Sequence, residues 1–172
     1  KTAYFVSDKS GFGQEDIFWF YLPNDIQSQK VAYLNAKVYD AVNKTPIKSS
    51  IEIIDVITGK VMISSFSFSN SGEFFTCLPA NANYAVNISK EGYLFHSENF
   101  TLDEQSALKA LNLDIPLQKI NKGSKIVLKN IFFDTDDYTL KKESNIELNT
   151  LLNFMNNNIE LKVEIEGHTD NV

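Results

Sequence analysis

The residues with the clearest chemical potential are clustered near the end of the chain. Residues 167–171 read Gly-His-Thr-Asp-Asn, which brings an imidazole, a hydroxyl, a carboxylate and an amide close together. His168 near Asp170 could suggest acid–base catalysis, but no motif supplies a serine or cysteine nucleophile. We therefore expect the chain not to be an enzyme.

Other carboxylates admit simpler interpretations. Asp134, Asp136 and Asp137 could suggest calcium, but the run lacks the glycine and the distal glutamate of a calcium loop. We expect a solvated loop there. Glu164 and Glu166 alternate with apolar residues. This indicates that they lie on the solvent-exposed face of a strand and are not the two catalytic carboxylates of a glycosidase.

Cysteine and histidine are scarce. Cys77 is the single cysteine and lies in a strand-like run, which favours a buried, inert thiol. The only histidines are His96 and His168, so a zinc site with four protein ligands is hard to assemble. We assign no metal and no cofactor.

The composition is that of a globular protein. The chain has 172 residues, 43% of them hydrophobic and 22% charged, enough for one to two small domains. A net charge of −6 argues against nucleic acid as a partner. No run approaches the roughly 18 apolar residues of a transmembrane segment. Because Lys1 is not a start methionine and the last motif is cut short, we expect a fragment of a longer protein.

Three elements are expected to position the terminal motif. Residues 161–166 alternate between apolar and charged side chains, which predicts a half-buried strand that ends at Gly167. Residues 125–133 are rich in β-branched and aromatic side chains and predict an earlier strand. Between them, Ser144 and Glu147 have the spacing of a capping box. They open a predicted helix with one apolar face, formed by Leu148, Leu151, Leu152 and Met155.

The first part of the chain predicts β-structure. Residues 3–8 and 16–21 are short aromatic runs on either side of a glycine turn at residues 11–13, which predicts a hairpin. A phosphate loop is a weak alternative, because no helix pattern follows the glycines. Residues 23–30 are polar and indicate a linker.

From Val31 onward, about seven strands at roughly ten-residue spacing predict a β-sandwich. The strand patterns cover residues 32–38, 51–57, 61–68, 74–78, 84–88, 93–102 and 111–115. Residues 106–113 could begin as a helical turn, and we leave that open. The hydrophilic residues 118–124 mark a second boundary.

The terminal elements resemble the opening half of the OmpA-like peptidoglycan-binding domain. The likeness rests on Asn-Ile-Phe-Phe-Asp at residues 130–134, on the helix after Ser144 and on residues 163–171. It implies an α+β unit that grips the diaminopimelate of peptidoglycan on the periplasmic side of the outer membrane. It also implies that Asp170, flanked by Thr169 and Asn171, meets the ligand ammonium. The family's arginine, which pairs with the ligand carboxylate, lies further along the motif and is absent from this chain.

Two further resemblances concern the preceding segments. Residues 72–79, 83–89 and 92–93 look like the carboxypeptidase-regulatory-like domain, a prealbumin-type sandwich that is usually a non-catalytic spacer or docking module. Tyr84 and Tyr93 could form a sugar-stacking platform, but their alternating positions favour core packing. The hairpin resembles the end of a blade in Tol-B-like propellers, which are related to WD40 repeats.

We therefore expect a mainly β chain with three parts. These are the end of a β-propeller (1–24), a prealbumin-like sandwich (25–118) and a truncated α+β OmpA-like unit with the order strand, helix, strand (119–172). The order resembles outer-membrane-associated proteins of Bacteroidetes, some of them type 9 secretion components. It implies a parent that tethers an outer-membrane or secretion assembly to peptidoglycan. The alternative is a glycan- or protein-binding adhesive module carried by the sandwich.

Because the terminal motif is cut short, we can predict how this chain alone should bind and pack. One exposed ion pair contributes about 0 to 1 kcal/mol, whereas a millimolar complex needs about 4 kcal/mol. We expect this chain to bind peptidoglycan weakly or not at all. We also expect a poorly packed terminal part, with Leu151 and Ile165 uncovered, beside a well-ordered sandwich.

Overall fold

The computed structural model describes residues 1–8, 15–26, 30–103 and 110–167. The chain divides into two compact units, Lys1–Lys30 and Val31–Val172. The predicted domain boundaries at residues 24/25 and 118/119 remain predictions.

The first unit is built on an antiparallel hairpin of Thr2–Ser7 (β1) and Asp16–Tyr21 (β2). The predicted hairpin is therefore confirmed, while its glycine turn at residues 11–13 lies outside the described residues. Aromatic side chains occupy both faces, because β-strand residues alternate between them. Phe5 stacks on Phe18 with ring centroids 5.4 Å apart, and Trp19 meets Tyr21 edge to face at 5.3 Å.

The second unit contains two sheets made of seven described strands. They are Val31–Asp40 (β3), Ser50–Asp55 (β4), Val61–Phe66 (β5), Glu73–Pro79 (β6), Ala82–Ser89 (β7), His96–Leu102 (β8) and Leu111–Leu117 (β9). One sheet has the order β6-β3-β9 and the other β5-β4-β7-β8. The β3–β9 pair is parallel, and the other pairs are antiparallel. All seven predicted strands form, with small shifts at their ends.

The hydrophobic core lies between these two sheets. On β3 every second residue is buried, and on β7 Tyr84, Val86 and Ile88 face the same interior. Fully burying side chains of this kind contributes about 1.5–3 kcal/mol each, so the core holds the two sheets together. The unit is a β-sandwich, as the strand pattern predicts.

Gly72 closes the loop that leads into β6. Its φ is +69°, and a Cβ at this position would lie 2.1 Å from the carbonyl oxygen of Val38. The Val38 amide donates to the Gly72 carbonyl at 2.9 Å, so the two backbones are in close contact. Only glycine fits there, because any side chain would separate them.

The predicted helix is present as Asn145–Asn157 (α1), after a 3-10 turn at Lys142–Ser144. It lies against the outer face of the β5-β4-β7-β8 sheet and contacts β7 through Asn87. Strand β7 is therefore buried on both faces, with Ala85 and Asn87 on the side away from the core. This part of the sandwich has three layers. Among the described residues, no helix is long and apolar enough to cross a membrane.

The two strands predicted on either side of this helix are wrong. Residues 125–133 form no ladder, and only an isolated bridge joins Phe133 to Leu140. Residues 161–166 have no regular structure, and Val163 and Ile165 are 44% and 71% exposed. An alternating pattern becomes a strand only if a neighbouring strand supplies hydrogen-bond partners, and the described backbone supplies none. Of the predicted order strand, helix, strand, only the helix forms.

Candidate functional sites

The predicted peptidoglycan site lies outside the described residues, since Thr169, Asp170 and Asn171 follow the last of them, and so does His168. The run that leads to it is exposed at Glu164, Glu166 and Gly167. Glu164 and Glu166 are therefore exposed to solvent, as predicted, although the strand predicted at residues 161–166 does not form.

A buried polar junction, formed by Ser97, Asn130 and Glu147, joins α1 to the sandwich. Ser97 is 2% exposed, and Asn130 and Glu147 are fully buried. The Ser97 hydroxyl donates to the Glu147 carboxylate, and Asn130 Nδ2 donates to the same carboxylate oxygen at 2.9 Å. Asn130 Nδ2 also donates to Ser97 Oγ, so the three side chains close a ring of hydrogen bonds. The junction therefore links β8, the segment before the helix and the helix itself.

The capping box predicted for Ser144 and Glu147 is wrong. Ser144 makes no side-chain cap bond to the helix. Its hydroxyl instead accepts from the Phe132 amide at 2.8 Å and donates to the Phe132 carbonyl at 3.2 Å. Glu147, the other half of the box, points into the junction. The spacing of Ser144 and Glu147 alone fits either arrangement, because residues three apart share a helix face.

The junction holds a carboxylate without a cation. Among the described residues, no lysine, arginine or histidine pairs with Glu147. Glu147 Oε1, Asn130 Oδ1 and nearby Asn87 Oδ1 are buried and have no hydrogen-bond partner in this part of the structure. Burying polar atoms in this way opposes docking. The junction therefore specifies where α1 docks more than it strengthens the contact.

Apolar and polar contacts further along α1 complete the docking. Phe154 meets Phe95 edge to face, with ring centroids 5.4 Å apart. Asn87 Nδ2 donates to the Thr150 hydroxyl at 2.7 Å, and that hydroxyl donates to the Ile146 carbonyl at 3.0 Å. Leu151 is half-buried, whereas Leu152 is 55% exposed. The expectation that Leu151 would be uncovered is therefore wrong.

A small cleft lies beside this docking site. It measures about 200 Å³ and is lined by the start of β8, the end of β9 and residues 125–129. Glu98 lies near the cleft and pairs with His96 at 3.0 Å and with Lys129 at 3.8 Å. Ligand pockets usually measure about 300–1,000 Å³, so this cleft is small for an organic ligand.

Asp40 anchors the turn that follows β3. Its Oδ1 accepts from the amides of Asn43 at 3.1 Å and Val42 at 2.9 Å, and its Oδ2 accepts from the Tyr93 hydroxyl at 2.9 Å. The Asn43 and Val42 amides, then Tyr93 and Lys119, hold the pKa of Asp40 below its ordinary value. These contacts explain the packing of Tyr93, which lies against the core as expected.

Tyr84 is also a core residue, as the alternation predicts. It is 1% exposed, and its hydroxyl donates to the Pro79 carbonyl at 2.9 Å. Burial, then the charge of Asp55, raises the pKa of Tyr84. Neither Tyr84 nor Tyr93 is placed as a sugar platform.

The outer face of the β6-β3-β9 sheet carries a set of exposed side chains that the sequence analysis missed. Tyr33 is 44% exposed and Phe75 is 61% exposed, and their rings stack at 5.8 Å with an interplanar angle of 16°. Beside them, Asn35 Nδ2 donates to Asn112 Oδ1 at 3.1 Å. We call Tyr33, Asn35, Phe75 and Asn112 the open face. The alternation of side chains along each strand could have identified these positions, because it turns them away from the core residues of the same strands.

Cys77 lies on the same side of the sheet and is exposed, so the predicted buried thiol is wrong. The inward residues of β6 are Phe74 and Leu78, and the pleat turns Cys77 the other way.

The acidic run after residue 133 lies in an exposed turn, as predicted. Asp134 pairs with Lys141 at 2.5 Å, and Asp137 accepts from the Thr139 amide at 2.8 Å. Within the described ranges, no group of three or more His, Cys, Asp or Glu side chains could hold a metal ion.

A scan against protein-family models gives no match, and a search of curated proteins gives none. Among solved structures, the chain is similar to S.CueP, with 17% identity and a TM-score of 0.41 over 59% of this chain and 66% of that one. A streptococcal ancillary pilin matches with 14% identity and a TM-score of 0.43, over 69% and 45%. A 3-chlorocatechol 1,2-dioxygenase from Rhodococcus opacus matches with 12% identity and a TM-score of 0.41, over 58% and 64%. The chain thus spans 66% of the first of these proteins and less of the other two.

Proposed function

We propose that this chain is a non-catalytic segment of a cell-envelope protein that tethers an outer-membrane-associated assembly to peptidoglycan. In this proposal the sandwich is a prealbumin-like spacer of the carboxypeptidase-regulatory-like kind, and the terminal segment opens an OmpA-like domain. The parent would lie on the periplasmic side of the outer membrane, as a component of the type 9 secretion machinery or a related assembly.

The observation that carries the proposal is the motif at residues 167–171. It supplies Asp170 as a carboxylate for the ammonium of diaminopimelate, with Thr169 and Asn171 beside it as further polar groups. The run before it, from Glu164 to Gly167, is exposed, so it leaves room for a polymer to approach.

The docking of α1 gives additional support. A tether must transmit force between its parts, and the buried polar junction fixes the helix on the sandwich in one position. The helix therefore connects the spacer to the segment that carries the motif.

Sedimentation with purified peptidoglycan tests the proposal, using the protein that contains this chain. A hydrogen bond to a charged group contributes about 1.5–3 kcal/mol, so Asp170→Ala should weaken binding by roughly tenfold or more. Glu164→Ala removes an exposed carboxylate from the preceding run and should leave binding unchanged. Binding by Asp170→Ala equal to that of the unaltered protein would contradict the proposal.

A modified ligand separates recognition of the ammonium from general adhesion to the wall. Acetylation of the free amines of peptidoglycan removes the positive charge that Asp170 is proposed to meet. We expect acetylated peptidoglycan to bind the unaltered protein as weakly as untreated peptidoglycan binds Asp170→Ala. Undiminished binding to the acetylated polymer would show that another feature of the wall is recognised.

A further inference from the structure

We propose that the open face is a second ligand site and that it binds a chain of β-linked N-acetylhexosamines. The choice of this glycan rests on the proposed function, because the glycan strands of peptidoglycan are built from such sugars. The sandwich would then contact the glycan while the terminal motif contacts the peptide stem.

The aromatic pair supplies the stacking surface. Tyr33 and Phe75 lie on adjacent strands, and Phe75 keeps 61% of its surface exposed although its ring stacks on Tyr33. Aromatic rings present flat apolar faces, which suit the apolar C–H faces of pyranose rings. Because the stacking orders both side chains before binding, a ligand loses little affinity to their immobilisation.

The amide pair supplies matching polar groups next to the rings. In the register of the sheet, Asn35 is opposite both Phe75 and Asn112, so the three side chains form a row across the strands. The Asn35–Asn112 hydrogen bond uses one donor and one acceptor of the pair. Asn112 Nδ2 also donates to the Ala110 carbonyl at 3.3 Å. Asn35 Oδ1 and a remaining Asn35 N–H have no partner among the described residues, and together they match the N–H and C=O of an acetamido group.

The extent of the face favours a sugar over a protein partner. Beside the two rings, Val31 is the nearest large apolar residue on this side of β3, at 40% exposure. The next row across the strands is charged, because Lys37 is opposite both Glu73 and Asp114. A stable protein interface needs about 800 Å² from each partner and a core depleted of charges. One or two pyranose rings need much less and tolerate a charged border.

Titration with the β-1,4-linked tetramer of N-acetylglucosamine tests the site on the whole chain. Saturable binding is expected, and Phe75→Ala should lower the affinity by about fivefold or more. Phe66→Ala is the matched control, since Phe66 has the same 61% exposure but lies on β5 in the other sheet. It should change the affinity by less than about twofold, as expected for a surface substitution away from the site.

Three results would overturn the inference. They are an absence of saturable binding, an equal loss with Phe66→Ala, and self-association of the chain that Phe75→Ala abolishes while tetramer binding is unchanged. The tetramer has no peptide stem, so Asp170→Ala should not alter its binding. Failure of the open face is therefore read from the tetramer titration, and failure of the tether is read from the effect of Asp170→Ala on peptidoglycan sedimentation.

Discussion

Glu147 shows how one residue pattern can serve two structural purposes. Its position three residues after Ser144 satisfies the capping-box rule, and the same position places it on the helix face that meets the sandwich. The structure uses the second possibility, in which Ser97 and Asn130 both donate to its carboxylate. Local spacing is the same in both cases, so the choice depends on the sheet that lies opposite the helix.

Asp40 yields a prediction about pH. Its pKa in the folded chain lies below the ordinary value, chiefly because the Asn43 and Val42 amides donate to the charged carboxylate. A lowered pKa means that Asp40 stabilises the fold at pH values above the ordinary pKa, about 3.9. That contribution is lost as the pH falls through the lower pKa of the folded state.

We therefore expect Asp40→Asn to unfold at lower urea concentration than the unaltered chain at pH 7. The difference should shrink as the pH falls below about 4, because the wild-type carboxylate then becomes neutral as well. Urea unfolding between pH 7 and pH 2.5 checks this. Tyr93→Phe, which removes one donor to Asp40, should show a smaller pH-dependent loss. If the difference in unfolding urea concentration between Asp40→Asn and the unaltered chain stayed constant with pH, the stabilising role assigned to the Asp40 carboxylate would be contradicted.

At the level of elements, α1 shows that amphipathic patterning locates a helix better than it locates the buried face. The apolar positions predicted a helix, and one forms at Asn145–Asn157. The residue turned most completely inward is Glu147, whereas Leu152 is 55% exposed. The helix is therefore rotated relative to its apolar stripe, because polar groups on β7 and β8 take part in the contact.

This rotation predicts opposite outcomes for two neighbouring apolar residues. Phe154→Ala removes the edge-to-face contact with Phe95 and should destabilise the chain by about 1–3 kcal/mol, less than a fully buried Phe→Ala. Leu152→Ala removes an exposed side chain and should change stability by less than about 0.5 kcal/mol.

Urea unfolding measures both effects, and hydrogen exchange of the α1 amides shows whether the helix loosens. Alanine favours helix at either position, so propensity does not confound the comparison. Equal effects of the two substitutions would mean that α1 does not dock in the orientation described.

At the scale of the whole molecule, the two compact units differ in how much interior they possess. Val31–Val172 has a sandwich core with a helix on one sheet, whereas the described part of Lys1–Lys30 is a hairpin whose aromatic residues are largely exposed. An isolated two-stranded hairpin is marginally stable in water.

We expect residues 31–172 alone to unfold cooperatively in urea. A peptide of residues 1–30 should show no cooperative transition, because too little apolar surface is buried to offset its conformational entropy. Circular dichroism followed through a urea or thermal titration distinguishes the two behaviours. Loss of cooperative unfolding on removal of residues 1–30 would show that the sandwich depends on them.

The sequence by itself determined the hairpin, the seven strands of the sandwich and the existence of α1. Each of these rests on local periodicity: alternation predicts which residues of β3 and β7 share a face, and 3.6-residue spacing predicts a helix. Periodicity requires no knowledge of distant neighbours, and these predictions are confirmed.

Only the tertiary structure decided which faces are covered and which patterns become strands. Cys77 is exposed, Glu147 is buried, and residues 125–133 and 161–166 stay outside any ladder. Burial and β-pairing depend on what lies opposite a residue, and that partner is usually distant along the chain. Glu147 meets Ser97 fifty residues away, and Asn35 meets Asn112 across 77 residues. Such contacts arise only when the whole chain folds, so local pattern cannot specify them.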